Sequence, residues 1–258
     1  MLYYFLLPAL PPLSLKSAPE LSFKELKDLL SLNLSPADVK KFRILLRSID
    51  IYNIRALWLG QPLDERGNFT SKELEEALLI RDALPLYLVD FLDRYETTAE
   101  RLRAFPALSA SLFRETDEFR NCFLSHYFQF ERERMLILTA LRAKVAGRDI
   151  VRELQFEDSG DPLIAYILAQ KDASEFIPPK EYEDLKILFV EKAHDPEKLE
   201  RALLEYRLKK IEEMEDGEKP FSIDQVLGYV ARFLIIDSWF QLNREQGRLE
   251  VEKLSDYE

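Results

Sequence analysis

Few residues of this chain have the types and spacing that metal binding or nucleophilic catalysis requires. Cys122 and His126 lie four positions apart, so on a helix they would share one face and could contribute two ligands to a metal ion. A metal site needs more ligands than two, and the other histidine, His194, is distant in the sequence. Because a lone cysteine usually packs as a small buried apolar residue, we predict structural roles here and expect no metal or other cofactor.

Known catalytic motifs are also missing from the sequence. It contains no G-x-G-x-x-G, no Walker loop, no H-E-x-x-H and no G-x-S-x-G. Catalysis would therefore have to rely on carboxylates alone, and clusters such as Glu73, Glu75 and Glu76 are typical of solvated helix faces. We expect a protein that is not an enzyme, and a carboxylate-based hydrolase is the alternative from another functional class.

Asparagine and arginine side chains recur near the ends of long helical patterns. Asn53 and Asn243 fall on otherwise apolar stripes, and a buried amide needs hydrogen-bond partners, so we expect both to bond across helix packings. Arg55, Arg142 and Arg244 occupy similar places. These arginines either form surface salt bridges, worth about 0–1 kcal/mol each, or orient one repeat against the next and bind a partner's carboxylates.

The element that positions Asn53 and Arg55 is a helix predicted over Ser35–Leu59. Ser35 suits the N-cap and Pro36 the first helical position, and a stripe with 3-4 spacing runs from Val39 to Gly60. Two later stretches repeat parts of this design. Leu141-Arg142-Ala143 precedes Gly147 at the distance that separates Ile54-Arg55-Ala56 from Gly60, and Val226–Gly247 has the same 3-4 spacing with Asn243 and Gly247 at its end. The pattern predicts an internally repeated all-α protein.

The composition agrees with long helices. The chain of 258 residues has only seven glycines and is 47% apolar, which permits a substantial core. We predict three helical units, residues 1–105, 106–180 and 181–258, which could also form one continuous domain. A strand competes with a helix only at residues 187–190. Helix starts are predicted at four capping pairs: Ser22–Glu25, Thr70–Glu73, Thr97–Glu100 and Ser222–Gln225.

Charge and cysteine content limit the partners and the compartment. Residues 1–60 hold 8 Lys+Arg and 5 Asp+Glu, a net +3, and the rest of the chain carries −14, which gives the total of −11. The acidic bulk argues against nucleic-acid binding, and the single cysteine favours a reducing compartment such as the cytoplasm. No apolar run is long enough for a membrane span. The apolar stretch Tyr3–Leu10 has no basic flank and contains a proline, so it is a better interface candidate than signal peptide.

Three tracts of the chain stand out as motifs: Tyr3-Tyr4-Phe5-Leu6 with Pro8 and Leu10-Pro11-Pro12-Leu13, then Asp50-Ile51-Tyr52-Asn53-Ile54-Arg55, and the ending from Val226 through Leu242-Asn243-Arg244 to Gly247. Together they resemble an uncharacterised bacterial family encoded in V-type ATPase operons. The repeat design is similar to the C-type rotor subunit of that ATPase, called d in eukaryotes, whose repeats end in an acidic-x-x-Asn-Leu-Arg-like pattern. The middle repeat departs from this pattern, since Ala140 stands where Asn is expected.

The resemblance implies a funnel of pseudo-repeated helical units without a catalytic residue. It implies a component of a bacterial V/A-type ATPase that couples the central stalk to the membrane rotor ring, with the stalk and ring subunits as partners. Such a component would be cytoplasmic, peripheral at the inner face of the plasma membrane, and in contact with lipid only through the complex. An accessory or assembly factor of the same ATPase, outside the rotor, is the alternative within this class.

Overall fold

The computed structural model of the chain describes residues 2–82, 84–116, 122–216 and 219–255, without the side chains of 115, 116, 122, 216 and 243–255. The described residues form helices and loops and no strand, so the predicted all-α class is confirmed. The α-helices in chain order are α1 (Leu6–Ala9), α2 (Phe23–Asn33), α3 (Pro36–Leu45), α4 (Arg47–Trp58), α5 (Ser71–Ile80), α6 (Leu86–Arg94), α7 (Thr98–Arg103), α8 (Phe105–Thr116), α9 (Cys122–Val145), α10 (Ile150–Glu153), α11 (Pro162–Leu168), α12 (Glu183–Lys192), α13 (Pro196–Asp216) and α14 (Ile223–Ser255).

The chain forms two compact units. One contains Met1–Phe42 with Glu200–Glu258, and the other contains Arg43–Leu199. Compactness does not test for internal repeats, so the division into 1–105, 106–180 and 181–258 stays a prediction. Within the described ranges no helix has both the length and the apolarity that crossing a bilayer requires.

Local capping chemistry sets several helix starts as predicted. Ser22 before α2, Thr70 before α5 and Thr97 before α7 each accept the N3 backbone N–H, while the N3 glutamate accepts from the cap residue's own N–H. Before α14 only half of the predicted pairing forms, because Ser222 Oγ accepts the Gln225 backbone N–H at 3.4 Å but the Gln225 side chain does not return to Ser222. Gln225 Oε1 accepts from the Phe221 N–H at 2.7 Å, one residue earlier than the expected cap.

The predicted continuous helix over Ser35–Leu59 is wrong, because the helix breaks at Leu46 between α3 and α4. At this break Asn68 Nδ2 donates to the Arg43 carbonyl at 2.9 Å. A side chain that reaches into the backbone ladder is one of the identifiable causes of a helix kink. The break thus depends on a contact with a loop that follows in the sequence.

Other helix ends follow from local conformation. Gly60 and Gly147 have φ of 64° and 62° after α4 and α9, a left-handed conformation that glycine adopts without a side-chain clash. Residues 187–190, where a strand competed in the sequence, lie inside α12. Residues 117–121, which precede α9, lie outside the described residues.

Each unit has its own apolar core. In the unit of Met1–Phe42 and Glu200–Glu258, α2 and α14 pack together, and the rings of Phe23 and Phe233 lie 6.3 Å apart. In the unit of Arg43–Leu199, α8 and α9 supply much of the core, with Leu108 and Phe128 almost fully buried.

Candidate functional site

Asp50 and Asn53, from the tract that carries the family resemblance, are both buried on one face of α4. Their exposed fractions are 7% and 2%. The i, i+3 spacing places both side chains on the same side of the helix, and the loop 61–70 returns over that side. A buried carboxylate and a buried amide both require hydrogen-bond partners, and the loop provides them.

The amide of Asn53 pairs with the backbone of a single loop residue. Asn53 Nδ2 donates to the Asp64 carbonyl at 2.8 Å, and the Asp64 N–H donates to Asn53 Oδ1 at 2.8 Å. The side chain thereby satisfies the backbone donor and acceptor of one residue at once. Asn53 is therefore buried and hydrogen-bonded, but its partner is a loop and not the neighbouring helix that the sequence led us to expect.

Asp50 binds the same loop four residues farther on. Its Oδ1 accepts from the Asn68 N–H at 2.7 Å, and its Oδ2 accepts from Asn68 Nδ2 at 2.6 Å. Burial raises the pKa of Asp50, although the hydrogen bonds from Asn68 and Phe69 oppose that effect. The Asn68 side chain also reaches the Arg43 carbonyl, so one residue links the loop to both helices at the break.

Gly67 lies directly against the two buried side chains. A Cβ at this position would be 2.7 Å from Asp50 Oδ1 and 2.8 Å from Asn53 Nδ2, closer than atoms tolerate. Both of these side chains are short and already hydrogen-bonded, so neither is able to move away. The loop therefore requires glycine at 67 for a steric reason.

An ion pair within the loop completes the arrangement. Arg66 Nε donates to Asp64 Oδ1 at 2.8 Å and Arg66 Nη2 donates to Oδ2 at 2.6 Å, a bidentate geometry. Burial alone would raise the pKa of the Asp64 carboxyl, but its bonds to Arg66 outweigh burial and hold the pKa below its usual value. We call this set, Asp50, Asn53, Asp64, Arg66, Gly67 and Asn68, the loop clasp.

The other predicted site residues are not gathered at the loop clasp. Arg55 is exposed on α4, with its guanidinium 5.6 Å from the Phe105 ring centroid, a cation–π distance. Arg142 is exposed near the end of α9. The side chains of Asn243 and Arg244 lie outside the described residues, so the predicted equivalence of Arg55 and Arg244 stays a prediction.

A second, half-buried ion pair belongs to the same unit and joins α9 to the start of α11. Arg132 Nη1 donates to Asp161 Oδ2 at 2.8 Å and Arg132 Nη2 donates to Glu157 Oε2 at 3.3 Å. The other oxygen of Asp161 accepts the backbone N–H groups of Leu163 and Ile164, which caps α11. This Asp161 has a dual structural role, and its pKa is lowered because these bonds outweigh its burial.

In both polar centres the side chains bond to one another or to the backbone. The clasp residues bond to one another and to backbone, and Arg132 binds both nearby carboxylates. In the part of the chain that the structure describes, no group of three or more His, Cys, Asp and Glu residues is suited to hold a metal ion. His126 lies on α9, and the side chain of Cys122 is outside the described residues. What the loop clasp does is fix the shape of a loop against a broken helix.

Sequence reasoning did not identify Asp64, Gly67 or Asn68 as members of this site. The stretch QPLDERGNFTS by itself indicates only a polar loop. A usable signal is present, because a helix with two buried polar positions needs a nearby source of backbone groups. A short loop with Asp, Gly and Asn directly after that helix is a suitable one.

Comparison with known proteins finds relatives in the genus Chlamydia. The model of the family described as "Protein of unknown function (DUF2764)" matches residues 1–256. A Chlamydia muridarum (strain MoPn / Nigg) protein is 34% identical over 239 residues, with 90% of each chain covered. A Chlamydia trachomatis serovar D protein is 31% identical over 249 residues, covering 93% of each chain, and a Chlamydia pneumoniae protein is 32% identical over 216 residues, covering 81%.

No solved structure matches the chain. The family match runs over nearly all of the residues, including the loop clasp and the segment before α1. The chain therefore belongs to the family described as protein of unknown function DUF2764.

Proposed function

We propose that this protein is a non-catalytic component of a bacterial V/A-type ATPase, an adaptor like the C-type rotor subunit, which couples the central stalk to the membrane rotor ring. Its partners are then the stalk and ring subunits, and its place is peripheral at the inner face of the plasma membrane. The funnel of pseudo-repeated helical units is part of this proposal. The work of such an adaptor is mechanical, so it depends on rigid surfaces and not on a reacting group.

The observation that carries the proposal is the two-sided use of the tract Asp50–Arg55. Asp50 and Asn53 face inward and hold the loop clasp. Tyr52 and Arg55 face outward, with Tyr52 58% exposed and its ring 5.8 Å from that of Phe105. The same short motif thus stiffens a helix–loop junction and presents an aromatic and an arginine side chain.

That outward pair has the chemistry of a protein interface. Tyrosine and arginine are enriched at interfaces and among the residues that dominate binding energy. The nearby Phe105 ring contacts both Tyr52 and Arg55, so the two side chains are partly ordered before any partner binds. Pre-ordered side chains lose less conformational entropy on association, which suits an adaptor that transmits force.

Native purification tests the proposal. An affinity-tagged chain, expressed at its normal level in its own bacterium, is purified from mildly solubilised membranes. We expect ATPase stalk and ring subunits in fixed stoichiometry with the tagged chain through size-exclusion chromatography. A substoichiometric chain that washes off would instead identify an assembly factor, and a preparation without ATPase subunits would overturn the proposal.

A pair of charge reversals sharpens this experiment. Arg55→Glu changes the outward face of the motif, and Arg152→Glu changes an exposed arginine on α10, outside the motif. We expect Arg55→Glu to lower the retained ATPase fraction at least severalfold, and Arg152→Glu to leave it unchanged. For the hydrolase alternative, the purified chain is assayed with general ester and phosphoester substrates, and turnover that depends on a carboxylate of this chain would revive it.

A further inference from the structure

The apolar segment before and within α1 is fixed in place by hydrogen bonds to distant parts of its own unit. The Tyr3 N–H donates to the Phe221 carbonyl at 2.7 Å, and the Tyr3 hydroxyl donates to Asp38 Oδ2 at 2.6 Å. After α1, the Tyr229 hydroxyl donates to the Pro11 carbonyl at 2.9 Å. Because bonds on both sides of α1 hold the segment, its outward side chains project from a defined backbone.

The segment has a buried side and an exposed side. Tyr3, Leu6 and Leu10 are at most 9% exposed and belong to the core of the unit. Tyr4 is 55% exposed and Phe5 is 92% exposed, the largest exposed fraction among the large apolar residues of the described chain. The segment Tyr3–Leu10, which the sequence predicted as an interface stretch, therefore has two parts. Some of its side chains complete the core, and others point outward.

One of the outward rings is supported by an unusual backbone conformation. Phe221 has φ of 58°, which few bulky residues adopt, and its ring centroid lies 4.8 Å from that of Tyr4. Strained backbone of this kind persists only where the surroundings enforce it, and it is concentrated at functional positions. The conformation of Phe221 places an aromatic ring beside Tyr4, which limits the motion of the Tyr4 side chain.

We propose that Leu2, Tyr4 and Phe5 form an aromatic knob that inserts into an apolar, uncharged pocket of another protein. A rigid, exposed aromatic side chain on an ordered scaffold is the usual form of a binding hot spot. The pocket is uncharged because residues 1–15 carry no charged side chain, so a charge lining the pocket would be desolvated without a counterion from this segment. This inference does not depend on the ATPase proposal.

A lipid surface fits the knob less well than a protein pocket does. Segments that bind anionic membranes carry lysine or arginine beside the apolar residues, and residues 1–15 contain none.

A second copy of the chain also fits less well. The three side chains expose on the order of 400 Å² in all, whereas a standard interface buries about 800 Å² on each partner. That area suffices for an anchor that enters a pocket, but it does not suffice for a symmetric dimer face.

Site-specific photo-cross-linking tests the knob. The photoreactive residue p-benzoylphenylalanine replaces Phe5 in the full chain in one strain, and it replaces Leu32, which is 85% exposed in the same unit, in a control strain. We expect one discrete adduct in cells from position 5 and none from position 32. The cross-linked protein is identified by mass spectrometry, purified separately, and titrated with the unmodified chain by calorimetry.

In that titration we expect Phe5→Ala to weaken binding at least tenfold and Leu32→Ala to leave it unchanged. Because Phe5 is almost fully exposed, Phe5→Ala should retain the thermal unfolding temperature of the unaltered chain, which separates loss of contact from loss of fold. Phe5→Ala binding as tightly as the unaltered chain would overturn the inference.

Three other results would overturn it as well. The first is the absence of a position-specific adduct. The second is an adduct with a second copy of this chain, accompanied by a concentration-dependent mass in solution. The third is Phe5-dependent co-sedimentation with vesicles of phosphatidylcholine or of phosphatidylglycerol, which would assign the knob to lipid.

Discussion

Two glycines, one in each compact unit, lie in contact with polar side chains, and they differ in what those side chains are able to do. Gly67 contacts Asp50 and Asn53, which are short, buried and bonded to the loop backbone. Gly228, inside α14, contacts Glu215, whose carboxylate accepts from Arg232 Nε at 2.8 Å and from Arg232 Nη2 at 3.0 Å. At both positions a Cβ would collide with an atom of the neighbouring side chain.

The difference lies in the flexibility of the neighbours. Asp50 and Asn53 have two side-chain torsions each, and both are buried and hydrogen-bonded to the loop. Glu215 has three torsions and a long charged side chain, so it is able to move at the expense of an ion pair. A close approach therefore constrains the sequence strongly only where the opposing atoms are fixed, which marks the loop clasp as the more demanding of the two regions.

Replacing Gly67 by alanine should have the largest effect on stability. The added Cβ would separate the loop from α4 and disrupt the bonds of both Asp50 and Asn53, and overpacking of this kind costs about 3 kcal/mol. Urea denaturation of the full chain measures the change in unfolding free energy. If Gly67→Ala and Gly228→Ala were equally destabilising, the distinction between fixed and flexible neighbours would be wrong.

Asn53→Ala should have the second largest effect, a loss of about 2 kcal/mol in unfolding free energy. The substitution leaves the Asp64 N–H without its side-chain acceptor, while the Asp64 carbonyl keeps the Gly67 N–H as a donor at 3.3 Å. An unsatisfied polar group away from water costs about 1–3 kcal/mol. Amide hydrogen exchange of the Asp64 N–H provides a direct check, since that N–H donates to Asn53 Oδ1. Unchanged protection at Asp64 would show that Asn53 does not hold the loop in place.

Gly60→Leu tests the cost of a left-handed backbone conformation at a position where a Cβ would meet no neighbouring atom. Gly60 has φ of 64°, but a Cβ there would meet nothing within 4 Å, so only the left-handed conformation opposes a side chain. The expected loss is about 1 kcal/mol, and Gly60→Asn should lose less because asparagine tolerates this region. Thermal unfolding of the two variants ranks them, and the reverse order would contradict this explanation.

The pH dependence of the clasp should change with Asp64→Asn. The folded pKa of Asp64 lies below its unfolded value, so the pair with Arg66 contributes stability above the unfolded pKa of about 3.9, and that stability is lost as the pH falls through the folded pKa. About a third of the Asp64 side chain is exposed, so solvent screening limits the contribution to about 0.5 kcal/mol. Denaturation of both proteins at pH 6 and pH 2 should show a difference in unfolding free energy that is smaller at the lower pH.

The pKa of Asp50, in the same loop clasp, is shifted in the opposite direction to that of Asp64. Its folded pKa is raised, so the contribution of this group decreases as the pH rises through that pKa. Because Asp50 is present in both Asp64→Asn and the unaltered protein, its contribution cancels, and the difference in stability between the two proteins reports on Asp64. A difference that grew on acidification would contradict the assignment of the pair.

Gly228→Ala should have the smallest effect. Alanine in a helix interior gains up to about 1 kcal/mol over glycine, and this gain offsets the displacement of Glu215 from Arg232. The double substitution Gly228→Ala with Glu215→Ala removes the collision, and we expect the glycine replacement to be stabilising in that background. A double-mutant cycle of unfolding free energies measures this coupling, and additivity would mean that Glu215 does not oppose the Cβ.

The all-α class and several helix starts were determined by the sequence itself. At Ser22, Thr70 and Thr97 the capping residue and its glutamate are three positions apart, so both bonds form within one helical turn whatever the rest of the chain does. The left-handed ends at Gly60 and Gly147 were also predictable, because the required φ depends on the residue type alone.

Only the tertiary structure decided how those helices are interrupted and used. The break at Leu46, the partner of Asn53 and the requirement for glycine at 67 all arise from contacts between residues 11 to 25 positions apart. The sidedness of Tyr3–Leu10 likewise depends on Asp38 and Phe221, which are remote in the chain. Periodicity specifies which residues share a helix face, but the neighbour that covers that face is set by the packing of the whole unit.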